Sequence, residues 1–207
     1  MRSTLLRLTI SLAITLIIAG CTSIPISTMW KLRNFDPLEA DPSHIRIAVV
    51  TDEIVQLKDD AVTLELSFES EFPEHNFKNK SKATVKANSV VDELSHLLNS
   101  EQRITLFYLD TDAAHQMRLS QNRIRIIKEN DVKGRGSFGL SIHTGCFKGP
   151  KPNSLIANVY AQFSPDRGYI KMISNIDLLK QLEPHQEEFW HECSADRESN
   201  STPHAIE

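Results

Sequence analysis

The sequence predicts an α+β fold, a mainly antiparallel sheet with two or three covering helices in a single compact domain. Three observations carry that expectation. Several short segments are rich in β-branched residues or alternate apolar with polar residues, the period of a half-buried strand. Two segments in the middle of the chain place apolar residues at helical spacing. Strand pairs precede the middle helices and strands follow them, so a fold of repeated parallel β-α units is not expected.

The elements follow in order. His44 to Thr51 (HIRIAVVT) reads as a strand because it is rich in β-branched residues. Lys58-Asp59-Asp60 is a turn signal. Val62, Leu64, Leu66 and Phe68 then alternate with Thr63, Glu65 and Ser67, a strand with one wet face. These two strands read as antiparallel neighbours. Glu69 to Lys82 is polar, contains Pro73, and reads as a loop. Ser89 reads as the N-cap of a helix carrying Val90, Val91, Leu94, Leu97 and Leu98 and ending near Asn99-Ser100.

Ile104 to Leu109 (ITLFYL) reads as a buried strand. Asp110 to Glu129 reads as the longest helix, capped by Asp110 or Thr111, with Ala113, Ala114, Met117, Ile124 and Ile127 as its stripe. Ile126 lies outside that stripe and leaves the last third open between helix and strand. Asn130 to Gly136 is a turn cluster. Ser137 to His143 is a strand, and Gly145 to Asn153 is a loop. Leu155 to Phe163 and Tyr169 to Ile173 flank Pro165-Asp166-Arg167-Gly168 and read as a hairpin. Ile176 to Leu182 reads as a short helix, and Ser194 to Glu207 as a disordered tail.

Composition limits the function classes. The 207 residues carry a formal charge of −4, with 24% charged and 40% hydrophobic residues, which excludes gross disorder. No basic patch of the kind that binds nucleic acid is present, so no nucleic-acid partner is expected.

The N-terminus is the most informative segment. Arg2 and Arg7 precede an uncharged run from Leu8 to Ala19, shorter than the roughly 20 residues of a spanning helix. That arrangement reads as an export signal. The run ends in Ile18-Ala19-Gly20-Cys21, which resembles the lipobox of bacterial lipoproteins, with Ile18 where Leu is usual. The resemblance covers the first tenth of the chain. It implies cleavage before Cys21, diacylglycerol on the Cys21 sulfur and acylation of the new amino group. Two or more acyl chains hold a protein stably on a bilayer. Thr22 stands where Asp favours retention in the inner membrane, so the resemblance points to the outer membrane, with the protein facing the periplasm. The alternatives are a plain signal peptide or an uncleaved anchor. The expected organisation is a signal peptide at 1–20, a lipidated and partly docked tether at 21–43, a globular domain at 44–193 and a tail at 194–207. Loss of Arg2 and Arg7 changes the formal charge from −4 to −6.

With Cys21 lipidated, Cys146 and Cys193 remain. In an oxidising compartment they are a candidate disulfide, with two unpaired thiols as the alternative.

Four side-chain groups invite chemical readings. Asp110-Thr111-Asp112, between a strand and a helix, resembles the Asp-x-Asp of haloacid-dehalogenase-type phosphatases. Ala114 stands where that family has Thr or Val, and helix capping explains both acids. His185, His191 and Cys193, with Glu187, Glu188 and Glu192, offer zinc-ligand chemistry without a tight ligand motif. His143 and Cys146 could form a base–thiol pair, but their spacing rarely brings such groups together. Arg118, Arg123, Arg125 and Lys128 could meet phosphates or anionic lipid, and read more simply as a solvated helix face.

None of these supplies a complete catalytic or metal constellation. The expected function is therefore a membrane-anchored, non-catalytic binding or envelope-assembly/transport accessory module. Its expected partners are membrane lipid, through acylated Cys21, and an envelope protein; no cofactor or metal is expected. The alternative is an envelope hydrolase using a metal or the Asp110–Asp112 pair.

Overall fold

The computed structural model describes residues 36–86, 92–180 and 190–193. In chain order the strands are β1 (Arg46–Asp52), β2 (Val55–Gln56), β3 (Val62–Ser70), β4 (Phe77–Val85) and β5 (Gln102–Tyr108). They continue as β6 (Gly134–Ile142), β7 (Gly145–Phe147), β8 (Ile156–Gln162), β9 (Ile170–Asp177) and β10 (Trp190–Glu192). The α-helices among the described residues are α1 (Asp92–Ser95) and α2 (Thr111–Glu129). Seven strands form one antiparallel sheet in the order β6-β3-β4-β5-β1-β8-β9, and β10-β7-β2 form a small second sheet. The architecture is dominated by strands and is α+β in the coarse sense.

β1 is an interior strand of the large sheet, between β5 and β8, and is buried on both faces, which suits its apolar run from Ile47 to Val50. Ile47 and Val49 face the main core with Leu64, Leu66, Phe68, Phe107 and Val159. Full burial of each large side chain contributes about 1.5–3 kcal/mol. Ala48 and Val50 face the other way, into a smaller cluster with Leu106 and Tyr160 that Leu94 of α1 covers. The sheet curls: Phe138 of edge strand β6 meets Phe163, just past β8, edge-on at 6.0 Å.

α2 lies over the main core and turns Ala114, Met117, Ile124 and Ile127 toward it. The Asp110 carboxylate accepts the Ala113 N–H at 2.8 Å and caps the helix. At the other end, Val132 N–H bonds Ile127 C=O and Asp131 N–H bonds Lys128 C=O. With Asp131 at φ 57°, that is a Schellman stop. The last third of the segment is therefore helical, and exposed Ile126 lies off the buried stripe.

Several expectations are corrected. β1 does not pair with β3; it lies between β5 and β8, while β3 lies between β4 and β6. Glu69 to Lys82 is mostly strand: β4 exposes Lys78, Lys80 and Lys82 and turns Asn79, Ser81 and Ala83 inward. Gly134-Arg135-Gly136 opens β6 and pairs with Ser70, Glu69 and Phe68. Gly145–Phe147, expected in a loop, is strand β7. Ile176 and Asp177 belong to β9, not to a helix. Ser89, Leu182 and the tail 194–207 lie outside the described residues.

Leu38 and Ala40 pack against the core, and Pro42 is buried. The Cys146 and Cys193 sulfurs lie 2.07 Å apart, with Cα atoms at 4.9 Å, the geometry of a disulfide. The bond ties β10 to β7, which pair in parallel.

Candidate binding cleft at the sheet seam

β6 and β9 are the two edges of the curled sheet, and no strand pairing joins them among the described residues. A cleft of about 610 Å³ opens at this seam. Its polar side follows from strand register. Thr63 is opposite Lys82 on one neighbour and Ser141 on the other, while Glu65 is opposite Lys80 and Gly139. These residues share the face that alternates with core-facing Leu64 and Leu66. His143 follows β6, its N–H donating to Ala61 C=O at 3.1 Å.

The apolar side comes from β9. Ile173 pairs with Val159 and Ile176 with Ala157, so three steps on β9 match two on β8. The extra residue is a β-bulge, with Asn175 at φ 51° and its N–H donating to Asn158 Oδ1 at 3.1 Å. A regular strand would send Ile173 and Ile176 to opposite faces. The bulge brings both to the cleft, where Leu178 joins them.

Charge is distributed unevenly. Lys78 pairs with Glu65 at 3.0 Å, and Lys82 pairs with Asp60 at 2.9 Å. Lys80, between them on the strand, has no ion-pair partner among the described residues. Burial holds the His143 imidazole below its usual range, and nearby Lys82 and Lys80 push the same way while Asp60 opposes them. His143 is therefore neutral at neutral pH. Ser141 and His143 share no hydrogen bond. The site offers an ammonium, hydroxyl groups and a neutral imidazole beside an aliphatic wall.

The residues that attracted attention in the sequence lie elsewhere. Asp110 is occupied as a cap, and Asp112 is exposed in the first turn of α2. Cys193 and Cys146 are bonded to each other, which leaves neither as a free thiol for zinc or for His143. His191 and Glu192 are exposed on β10, while His185, Glu187 and Glu188 lie outside the described residues. Among the described residues no group of three acidic, His or Cys side chains could hold a metal. Cys21 and Thr22 also lie outside the described residues.

The arginine run on α2 is not simply a solvated face. Arg118 bonds the Asp41 carboxylate at 2.7 Å, and Arg125 donates to Leu38 C=O at 3.1 Å. Arg123 lies over the Phe77 ring, 4.4 Å from its centroid. Hydrogen bonding to Ser43 holds the Asp41 carboxyl below its usual range; burial opposes it, and the Arg118 guanidinium adds to the lowering. Three of the cationic side chains thus secure neighbouring structure, two of them the segment entering the domain.

The chain matches no protein-family model, no curated protein and no solved structure.

Lys80, Lys82, Ser141 and the bulged β9 had no motif to mark them. The one available signal was the Lys78, Lys80, Lys82 alternation, which marks β4 as a strand with a cationic face.

Proposed function

We propose that this chain is an envelope lipoprotein, held by acyl groups on Cys21 at the periplasmic side of the outer membrane. Its folded domain is a non-catalytic binding module in envelope assembly or transport, and the seam cleft is its ligand site. The cleft carries the reading: it gathers hydrogen-bond donors and a cation beside an aliphatic wall, while its hydroxyl and imidazole groups are not hydrogen-bonded as a nucleophile and base. The lipobox-like Ile18-Ala19-Gly20-Cys21 supports the anchoring. The chain from Cys21 to Asp36 reaches at most about 50 Å, so the domain stays close to the bilayer.

The test uses the full chain in a Gram-negative host. Cys21→Ser leaves the precursor unprocessed or releases the protein from the membrane fraction; unchanged processing and fractionation overturn the anchoring. Turnover of generic ester or phosphate substrates, abolished by one point substitution, overturns the non-catalytic reading.

A further inference from the structure

We infer that the seam cleft takes an anionic amphiphile, an aliphatic chain ending in a carboxylate or phosphate, with the headgroup at Lys80 and the chain along Ile173, Ile176 and Leu178. The inference rests on the binding-module reading and names its ligand class.

Charge sets the headgroup. The neighbouring lysines on this strand face are ion-paired with Glu65 and Asp60, whereas Lys80 has no ion-pair partner among the described residues. Lysine acts on such a headgroup as a point charge, and Ser141 is available as a neutral donor nearby. The His143 titration is lowered by burial first and then by the positive field of Lys82 and Lys80, with Asp60 opposing, so the charge of both lysines is felt within the cleft. A cationic ligand would meet that field unfavourably, and Glu65, the acid in the cleft, is already paired with Lys78.

Shape and lining set the rest of the molecule. Among the described residues the apolar lining is all branched aliphatic, with no aromatic ring to stack on a sugar or base. The bulge at Asn175 brings Ile173 and Ile176 to one side, which makes an aliphatic strip. The volume of about 610 Å³ lies within the range of sites for a single small ligand. A lipid tether would hold this cleft near a concentrated source of such molecules.

The experiment uses the full chain in its membrane fraction and three photoreactive probes that share a C16 diazirine chain. One ends in a carboxylate, one in a phosphate and one in an alcohol. Labelled peptides are mapped by mass spectrometry. The expected result is labelling within 170–178 by at least one anionic probe, competed by unlabelled decanoate or decyl phosphate, and several-fold above the alcohol. Lys80→Glu lowers it about tenfold, the scale of losing one charge-assisted contact, and Lys80→Arg keeps most of it. Carboxylate preference assigns a fatty-acid type of ligand and phosphate preference a phospholipid type. Labelling that ignores the headgroup, falls outside the cleft or survives Lys80→Glu overturns the inference. So does displacement of the probe by peptide alone. Membrane fractionation and probe hydrolysis, read on the same samples, report separately on the underlying function.

Discussion

The Gln121 side-chain amide donates to the backbone carbonyl of Pro37 at 2.8 Å and to that of Ala40 at the same distance. A buried polar side chain in the middle of α2 thus satisfies two carbonyls of the segment that enters the domain. Arg118 and Arg125 add exposed contacts on either side. Gln121→Ala removes both hydrogen bonds and leaves a small void, and should cost about 1–3 kcal/mol. Arg125→Gln, at an exposed site, should stay within about 0.5 kcal/mol. Urea denaturation measures both. Limited proteolysis near residues 36–41 should accelerate in the Gln121 variant; equal cleavage in the two variants would contradict the anchoring role of Gln121.

The elements that read clearly from sequence obey a single physical rule each. α2 has a cap, a stripe and a stop; β1 carries an apolar run from Ile47 to Val50 because it is interior to the sheet; the β8–β9 hairpin has local pairing and a Pro-Asp-Arg-Gly turn. β4 breaks the usual signal because its inward residues are Asn79, Ser81 and Ala83, chosen to meet α2, where Asn79 bonds Ser120. The bulge at Asn175 interrupts the strand period of β9, so Ile176 and Asp177 did not read as a continuation of the strand from Tyr169 to Ile173. Strand neighbours were unreadable for β1, whose partners β5 and β8 lie far along the chain, and for β3, whose partner β6 is distant and whose local partner β4 did not read as a strand. The cleft inherits that difficulty, because its residues come from four strands that only the topology brings together.

Asn175 holds the bulge with φ 51°, a conformation that disfavours β-branched side chains. Asn175→Val should destabilise the protein by about 1–2 kcal/mol, while Asn175→Gly should be nearly neutral. Thermal unfolding distinguishes them. Equal melting temperatures for the Val and Gly variants would show that the left-handed backbone is not required there.

Cys146 and Cys193 are 47 residues apart, so linking them restricts a long stretch of the unfolded chain. On loop-closure entropy, the Cys146→Ser/Cys193→Ser double variant should lose about 4 kcal/mol relative to the oxidised protein. Adding reductant should bring the wild type close to the variant, and thiol titration of the denatured, unreduced protein should find neither cysteine free. Matching unfolding curves for the oxidised wild type and the double variant would remove the bond from the stability of the fold.

His143 links the cleft to pH. Its folded pKa is lowered, first by burial and then by Lys82 and Lys80, with Asp60 opposing. The unfolded chain therefore binds this proton more readily than the folded one. The resulting stability is present above the ordinary imidazole value of about 6.5 and is lost as pH falls below it toward the folded pKa. His143→Gln should flatten that part of the stability curve and leave the slope above pH 7 unchanged. Lys80→Gln removes one of the two repelling charges but not the burial, so the His143 titration followed by NMR should move up part of the way in that variant. An unmoved titration would mean that Lys80 does not supply the positive field in the cleft.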